Sequence, residues 1–141
     1  MPTVLGLCDL KIPKTVEGIN YSGFMRGGRN PSDGAALIEC ITPFGEWTRT
    51  RGGKEYRGLR TAEHTYVRDL NGPWLLFDNQ ADPLQMTNLV GDPAHSKLEM
   101  KMEEVLKRKL RKSGDEFLPG DAYVKKWGYQ TNATGTVSYT N

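Results

Sequence analysis

The chain has 141 residues, of which 37% are hydrophobic and 26% charged, enough for one domain of ordinary size with a single core and too apolar for wholesale disorder. Its 19 basic and 17 acidic residues leave a net charge of +2, a near-balance that argues against nucleic acid as the main partner. No run approaches the ~20 apolar residues of a membrane span, and "MPTVLGLCDL" is too short, and too acidic at its end, to be a secretory signal. Cys8, Cys40, His64 and His95 stand singly, far from the clustered set of about four ligands a structural zinc requires.

In chain order, "MPTVLGLCDL" reads as a short helix, with Pro2 at its first position and Val4, Leu5, Leu7 and Cys8 as an apolar side. "KIPKTVEGIN" is a connector, "YSGFMRGG" one helical turn stopped by glycines, and "GGRNPSDG" a loop. "AALIECI" predicts a strand apolar enough to be central. "TPFGEWTRTRGGKEYRG" reads as a polar, exposed loop. "RGLRTAEHTYVRDL" predicts two strands joined near Ala62 and Glu63, and "GPWLLFD" a further strand entered through Asn71-Gly72, a tight-turn dipeptide.

A helix is predicted from about Pro93 to Ser113. Asp92 offers an N-cap carboxylate, and Leu98, Met102, Val105, Leu106 and Leu110 recur at spacings of three and four. Cations crowd its last turns and Gly114 stops it. "DEFLPGDAYVKKWGY" adds a turn and one more helical turn, and residues 130–141 are expected to form a polar, flexible tail without periodicity. The fold class this order predicts is α+β: a small antiparallel sheet of about four strands, packed against one long C-terminal helix, with a short N-terminal helical segment.

The string of Asp and Asn in "PWLLFDNQADPLQMTNLVGDP" raises the question of a metal site. Asp78, Asp82 and Asp92, with Asn79 and Asn88 between, lack the alternate spacing, central Gly and closing Glu of a calcium loop. Turn and cap chemistry is the expectation instead: Asp78 ends a strand, and Asp82-Pro83 and Asp92-Pro93 cap short turns.

The same stretch resembles the C-terminal signature of type I, formylglycine-dependent sulfatases of the alkaline phosphatase superfamily. It runs strand, Phe-Asp, Asp-Pro, Gln, Asn-Leu and a further Pro. "MPTVLGLCDLKIPKTVEGINYSGFMRGG", "YRGLRTAEHTYVRD" and "DEFLPGDAYVKKWGY" resemble other stretches of that family in the same order, so the likeness covers roughly residues 1–129. It implies a C-terminal subdomain of a longer hydrolase of sulfate esters, with residues 1–30 linking to an absent N-terminal catalytic domain. That parent would carry calcium and formylglycine. This chain is expected to hold no cofactor, since Cys8 is followed by "DLKI" and Cys40 by "ITPF", neither matching the family's Cys/Ser-x-Pro-x-Arg. Hydrolysis also needs an activated nucleophile and a cation or several donors, and no residues supply both at recognisable spacing.

In that family, loops between the strands of this subdomain can reach the substrate. The loop containing Trp47, Arg49, Arg51 and Arg57 is the candidate here: Trp47 to stack on a sugar or aryl ring, the arginines to fork onto a sulfate or uronate. The competing reading packs Trp47 on the sheet and leaves the arginines solvated. His64 is expected on the sheet surface and His95 in the first turn of the helix, neither with a reacting partner. Two other functions stay open: the matching piece of a phosphonate or phosphodiester hydrolase of the same superfamily, and a stand-alone module binding an anion or glycan. Apolar residues left uncovered by an absent domain predict self-association. Neither nucleic acid nor a membrane is expected as a partner.

Overall fold

The computed structural model describes residues 1–133, 136 and 137. The chain divides into two units, Met1–Ala35 and Ala36–Asn141. In the first, α1 (Pro2–Leu7) and α2 (Ser22–Met25) are tied by two hydrogen bonds. The Tyr21 N–H donates to Thr3 Oγ1 at 3.1 Å and Arg26 Nη2 donates to the Leu7 carbonyl at 2.8 Å. Helices this short are not stable by propensity alone, so such cross-links carry the unit.

The second unit is built on an antiparallel meander in the order β1-β2-β3-β4, comprising Ala36–Cys40, Tyr56–Arg60, His64–Asp69 and Gly72–Asp78. Being the first strand of that order, β1 is an edge strand and not central as its apolar sequence suggested; Ala36 and Glu39 are exposed and no residue in it is fully buried. Between β3 and β4 the turn is closed by the Asn71 N–H donating to Asp69 Oδ1 at 2.8 Å.

Register decides what the sheet buries. Leu59 pairs with Tyr66 and Tyr66 with Leu76, so one cross-strand row of fully buried side chains lies on a single face. Against it packs α3 (Ser96–Ser113), which touches β2, β3 and β4. Met102, Leu106 and Leu110, one turn apart, are its buried stripe. The Tyr66 hydroxyl donates to Glu103 Oε2 at 2.8 Å and Arg68 Nη1 to Glu103 Oε1 at 2.5 Å, pinning helix to sheet. Burial, reinforced by that carboxylate, pushes the Tyr66 phenol far above its ordinary value.

The Asp and Asn string is turn chemistry. Asp78 Oδ1 accepts from the N–H groups of Gln80 and Ala81, and Asp82 Oδ2 from Thr87. Asn88 covers the open edge of β4, its Oδ1 accepting from the Leu76 N–H and its Nδ2 donating to the Trp74 carbonyl. Asp92 caps a 3-10 turn (Pro93–His95) leading into α3, accepting from the Ala94 N–H at 2.9 Å and pairing with His95 Nδ1 at 2.8 Å.

At the other end of α3, Gly114 takes the left-handed conformation (φ 70°), and the Asp115 N–H returns to the Leu110 carbonyl at 2.9 Å, a Schellman closure. That closure delivers Asp115 to Arg57, whose side chain is fully buried. Arg57 donates through Nε to Asp115 and through Nη1 to the carbonyls of Cys40 (3.1 Å) and Tyr56 (2.9 Å), and its guanidinium lies 4.7 Å from the Phe117 ring centre. Asp115 also accepts from the Tyr123 hydroxyl at 2.6 Å, and Tyr123 belongs to α4 (Gly120–Lys126). Of the polar tail, Thr131 and Val137 form an antiparallel bridge, while residues 134, 135 and 138–141 lie outside the described residues.

Burial works against ionisation of Asp115, but hydrogen bonds from Arg57, Tyr123 and the Phe117 N–H hold its pKa below the ordinary carboxylate value. A depressed folded-state pKa gives stability that is whole above the unfolded value and lost as pH falls through the folded one. Asp115→Asn, which leaves the buried guanidinium only Glu39 at 3.6 Å as a charge partner, should therefore cost about 3–5 kcal/mol at neutral pH and flatten the acid limb of the urea stability profile below about pH 4. A variant with the parent's midpoint and acid slope would contradict this. Removing the cap with Asp92→Ala should cost about 0.5–2 kcal/mol with an unchanged denaturant slope; a neutral effect would count against its capping role.

Candidate functional site

The segment 41–55 between β1 and β2 is polar yet ordered by its own backbone. Arg49–Arg51 form a 3-10 turn, and the Gly53 N–H donates to the Thr48 carbonyl at 2.9 Å. Trp47 projects from it and remains 48% exposed. With Phe44, Tyr56, Trp127 and Tyr129 it lines an open groove of about 570 Å³. Across the groove the rings are ordered: Tyr123 and Trp127 stack at 5.2 Å between centres, and Tyr129 meets Trp127 edge-on at 6.3 Å.

Backbone contact holds the two walls together. A β-carbon at Gly120 would fall 1.8 Å from Thr42 Oγ1 and 2.7 Å from the Ile41 carbonyl oxygen, so only glycine allows α4 to approach the segment after β1 this closely. The Gly120 N–H donates to Glu55 Oε1 at 3.1 Å. At the far end of α4 the Tyr129 N–H returns to the Val124 carbonyl at 3.0 Å through a left-handed Gly128, which sets Trp127 and Tyr129 on either side of the turn.

The four side chains expected to form a site have different fates. Trp47 lines the groove. Arg49 stands beside it, bridging Glu55 (2.5 Å) and Asp121 (3.1 Å). The Glu55 hydrogen bond raises the pKa of Arg49. For Glu55, burial pushes upward, but hydrogen bonds from Arg49 and backbone N–H groups leave it lowered. Arg51 is mostly exposed and pairs with Glu46. Arg57 is not in the loop: it lies in β2, buried against Asp115, and its carboxylate partner leaves it no reach toward a ligand. The other groove aromatics were not anticipated from the sequence. The signal for two of them was "WGY", paired aromatics around a glycine just past a helix end.

Among the described residues no acid, base and nucleophile are brought together at the groove. His64 lies half-buried in β3 with Glu63 at 3.9 Å, and His95 serves the Asp92 turn. Cys8 and Cys40 are free thiols, and burial raises the pKa of Cys40, the opposite of an activated nucleophile. Among the described residues no group of three or more His, Cys, Asp or Glu is placed to hold a metal. The described residues therefore offer no fit for calcium, and neither cysteine stands in a Cys-x-Pro-x-Arg sequence from which formylglycine is made. What the groove presents is a set of ordered aromatic rings.

Comparisons with known proteins identify the scaffold. The family model described as N-sulphoglucosamine sulphohydrolase, C-terminal, matches residues 1–112. An ulvan-active sulfatase from Formosa agariphila is 38% identical over 132 residues, covering 92% of this chain and 25% of that protein. A solved structure of a putative sulfatase from Bacteroides thetaiotaomicron superposes with a TM-score of 0.69 at 24% identity, over 82% of this chain and 24% of that one. A phosphonate monoester hydrolase from Silicibacter pomeroyi superposes with a TM-score of 0.61 at 29% identity, over 83% and 25% of the two chains. This chain thus spans about a quarter of the length of the relatives it matches. It belongs to the N-sulphoglucosamine sulphohydrolase C-terminal family.

Proposed function

We propose that the chain serves as the C-terminal subdomain of a sulfatase, standing beside a catalytic domain that hydrolyses the sulfate ester of a sugar. The observation that carries this is the match at 38% identity to a quarter of an ulvan-active sulfatase, together with a sequence that lacks the Cys/Ser-x-Pro-x-Arg nucleophile motif. The phosphonate hydrolase shares the fold, so fold alone does not choose the ester. The family model and that sulfatase relative favour sulfate, and N-sulphoglucosamine and ulvan in their names favour a carbohydrate over a simple aryl sulfate.

In this reading formylglycine and calcium belong to the catalytic domain, where they supply the nucleophile and the charge that holds the sulfate. The contribution of this chain is shape. Trp47 and the aromatic groove offer rings on which a sugar can stack. Arg49 stands next to the groove and Arg51 follows in the same turn, and each would exchange its carboxylate within the chain for a substrate anion. Arg57 acts only by holding the groove's walls. Residues 1–30 link to the catalytic domain, and Val4, Leu10 and Met25 in that stretch, each about 60% exposed, are the apolar surface it would cover. Without such a cover the same surface drives self-association.

Two measurements test the reading. Coding sequence upstream of Met1 should run open and contain Cys/Ser-x-Pro-x-Arg; a stop codon immediately upstream would overturn it. The purified chain should turn over an aryl sulfate no faster than a heat-killed control and should scatter light as a dimer or larger at high concentration. Turnover above control refutes the scaffold role, and a clean monomer refutes the exposed interface.

A further inference from the structure

The outer face of α3 carries an unusual charge. At 3.6 residues per turn, Lys97, Lys101, Glu104, Arg108, Arg111 and Lys112 fall on one stripe, opposite the buried stripe of Met102, Leu106 and Leu110. All six are exposed. Five are cations, and among the described residues no ion pair engages any of them. Nearby acids are occupied elsewhere: Glu103 binds Tyr66, Arg68 and Lys107, and Glu99 accepts from the Gly91 N–H. Glu104 is the one carboxylate on the stripe.

The helix dipole does not account for this arrangement. Cations favour the last turn, which explains Arg111 and Lys112, whereas Lys97 sits in the first turn, where the dipole opposes it, and Lys101 and Arg108 lie between, where it acts weakly. Lys97 with Lys101 and Arg108 with Lys112 are like-charged pairs one turn apart, each costing a few tenths of a kcal/mol. The helix accepts that cost over a strip about 22 Å long, taking a rise of about 1.5 Å per residue.

We propose that this face is a docking strip for a sulfated polysaccharide, its sulfate groups seated against Lys97, Lys101, Arg108, Arg111 and Lys112. Complementary charge at repeated one-turn spacing suits a polymer with regularly placed anions, and guanidinium forks suit tetrahedral oxyanions. Nucleic acid fits less well: α3 carries no aromatic side chain for base stacking, and the whole chain is only +2. The choice of a sulfated glycan among polyanions rests on the sulfatase reading above; the strip itself rests on the helix.

The test titrates the purified chain with dextran sulfate, against dextran and duplex DNA, over a series of salt concentrations. Dextran sulfate should bind, with a steep loss of affinity as salt rises, and dextran should not. Lys101→Gln combined with Arg108→Gln and Arg111→Gln should weaken binding at least about tenfold at low salt and reduce the logarithmic salt slope by up to about three, roughly one per charge removed. These side chains are exposed, so circular dichroism and the urea midpoint should hold. Lys125→Gln with Lys126→Gln, on α4, should leave binding intact. Absence of binding to dextran sulfate, equal binding by the triple variant, or tighter binding of DNA would each overturn the proposal. Failure here with Cys/Ser-x-Pro-x-Arg found upstream removes the strip and leaves the subdomain reading standing; binding through the strip with no such motif upstream does the reverse.

Discussion

The buried guanidinium of Arg57 is the constraint on which the second unit depends. A fully desolvated cation is costly unless its charge is matched and its N–H groups are used. Here Asp115 supplies the charge, two carbonyls supply acceptors, and an aromatic ring covers the plane. Asp115 in turn accepts from Tyr123 and from the Phe117 N–H. Such a pair adds little net stability over an apolar replacement, but it specifies geometry: few other arrangements of residues 115–129 would satisfy every member. It therefore fixes where the chain goes after α3, and with it the position of α4.

The groove follows from that placement. Trp127 and Tyr129 reach Trp47 and Phe44 because α4 is held at Gly120 against the segment after β1 and at Tyr123 against Asp115. Its neighbouring cations are largely neutralised by acids of the same chain, Arg49 by Glu55 and Asp121 and Arg51 by Glu46. Free positive charge lies instead along the outer face of α3. The unit thus places exposed rings at one site and positive charge at another, both on the same sheet-and-helix frame.

Much of that frame was legible in the sequence because local rules set it. The three- and four-residue spacing of Leu98 to Leu110 marked α3, Asn71-Gly72 marked the β3–β4 turn, and each Asp before Pro acted as a turn acceptor. What escaped was non-local. β1 read as central because its residues are apolar, but edge or centre is decided by pairing, not composition. Arg57 read as a loop cation because its neighbours are polar; its burial depends on a carboxylate 58 positions away. The groove likewise joins residues 44, 47 and 56 to 127 and 129, a convergence no sequence window contains.

Hydrogen exchange on the Asp115→Asn chain tests the Arg57 anchor most directly. If the pair docks the C-terminal segment, the N–H groups of Ala122, Trp127 and Tyr129 should lose protection selectively, while those of β2, β3 and α3 keep theirs relative to global stability. Uniform loss across sheet and helix, or undiminished protection in α4, would contradict it.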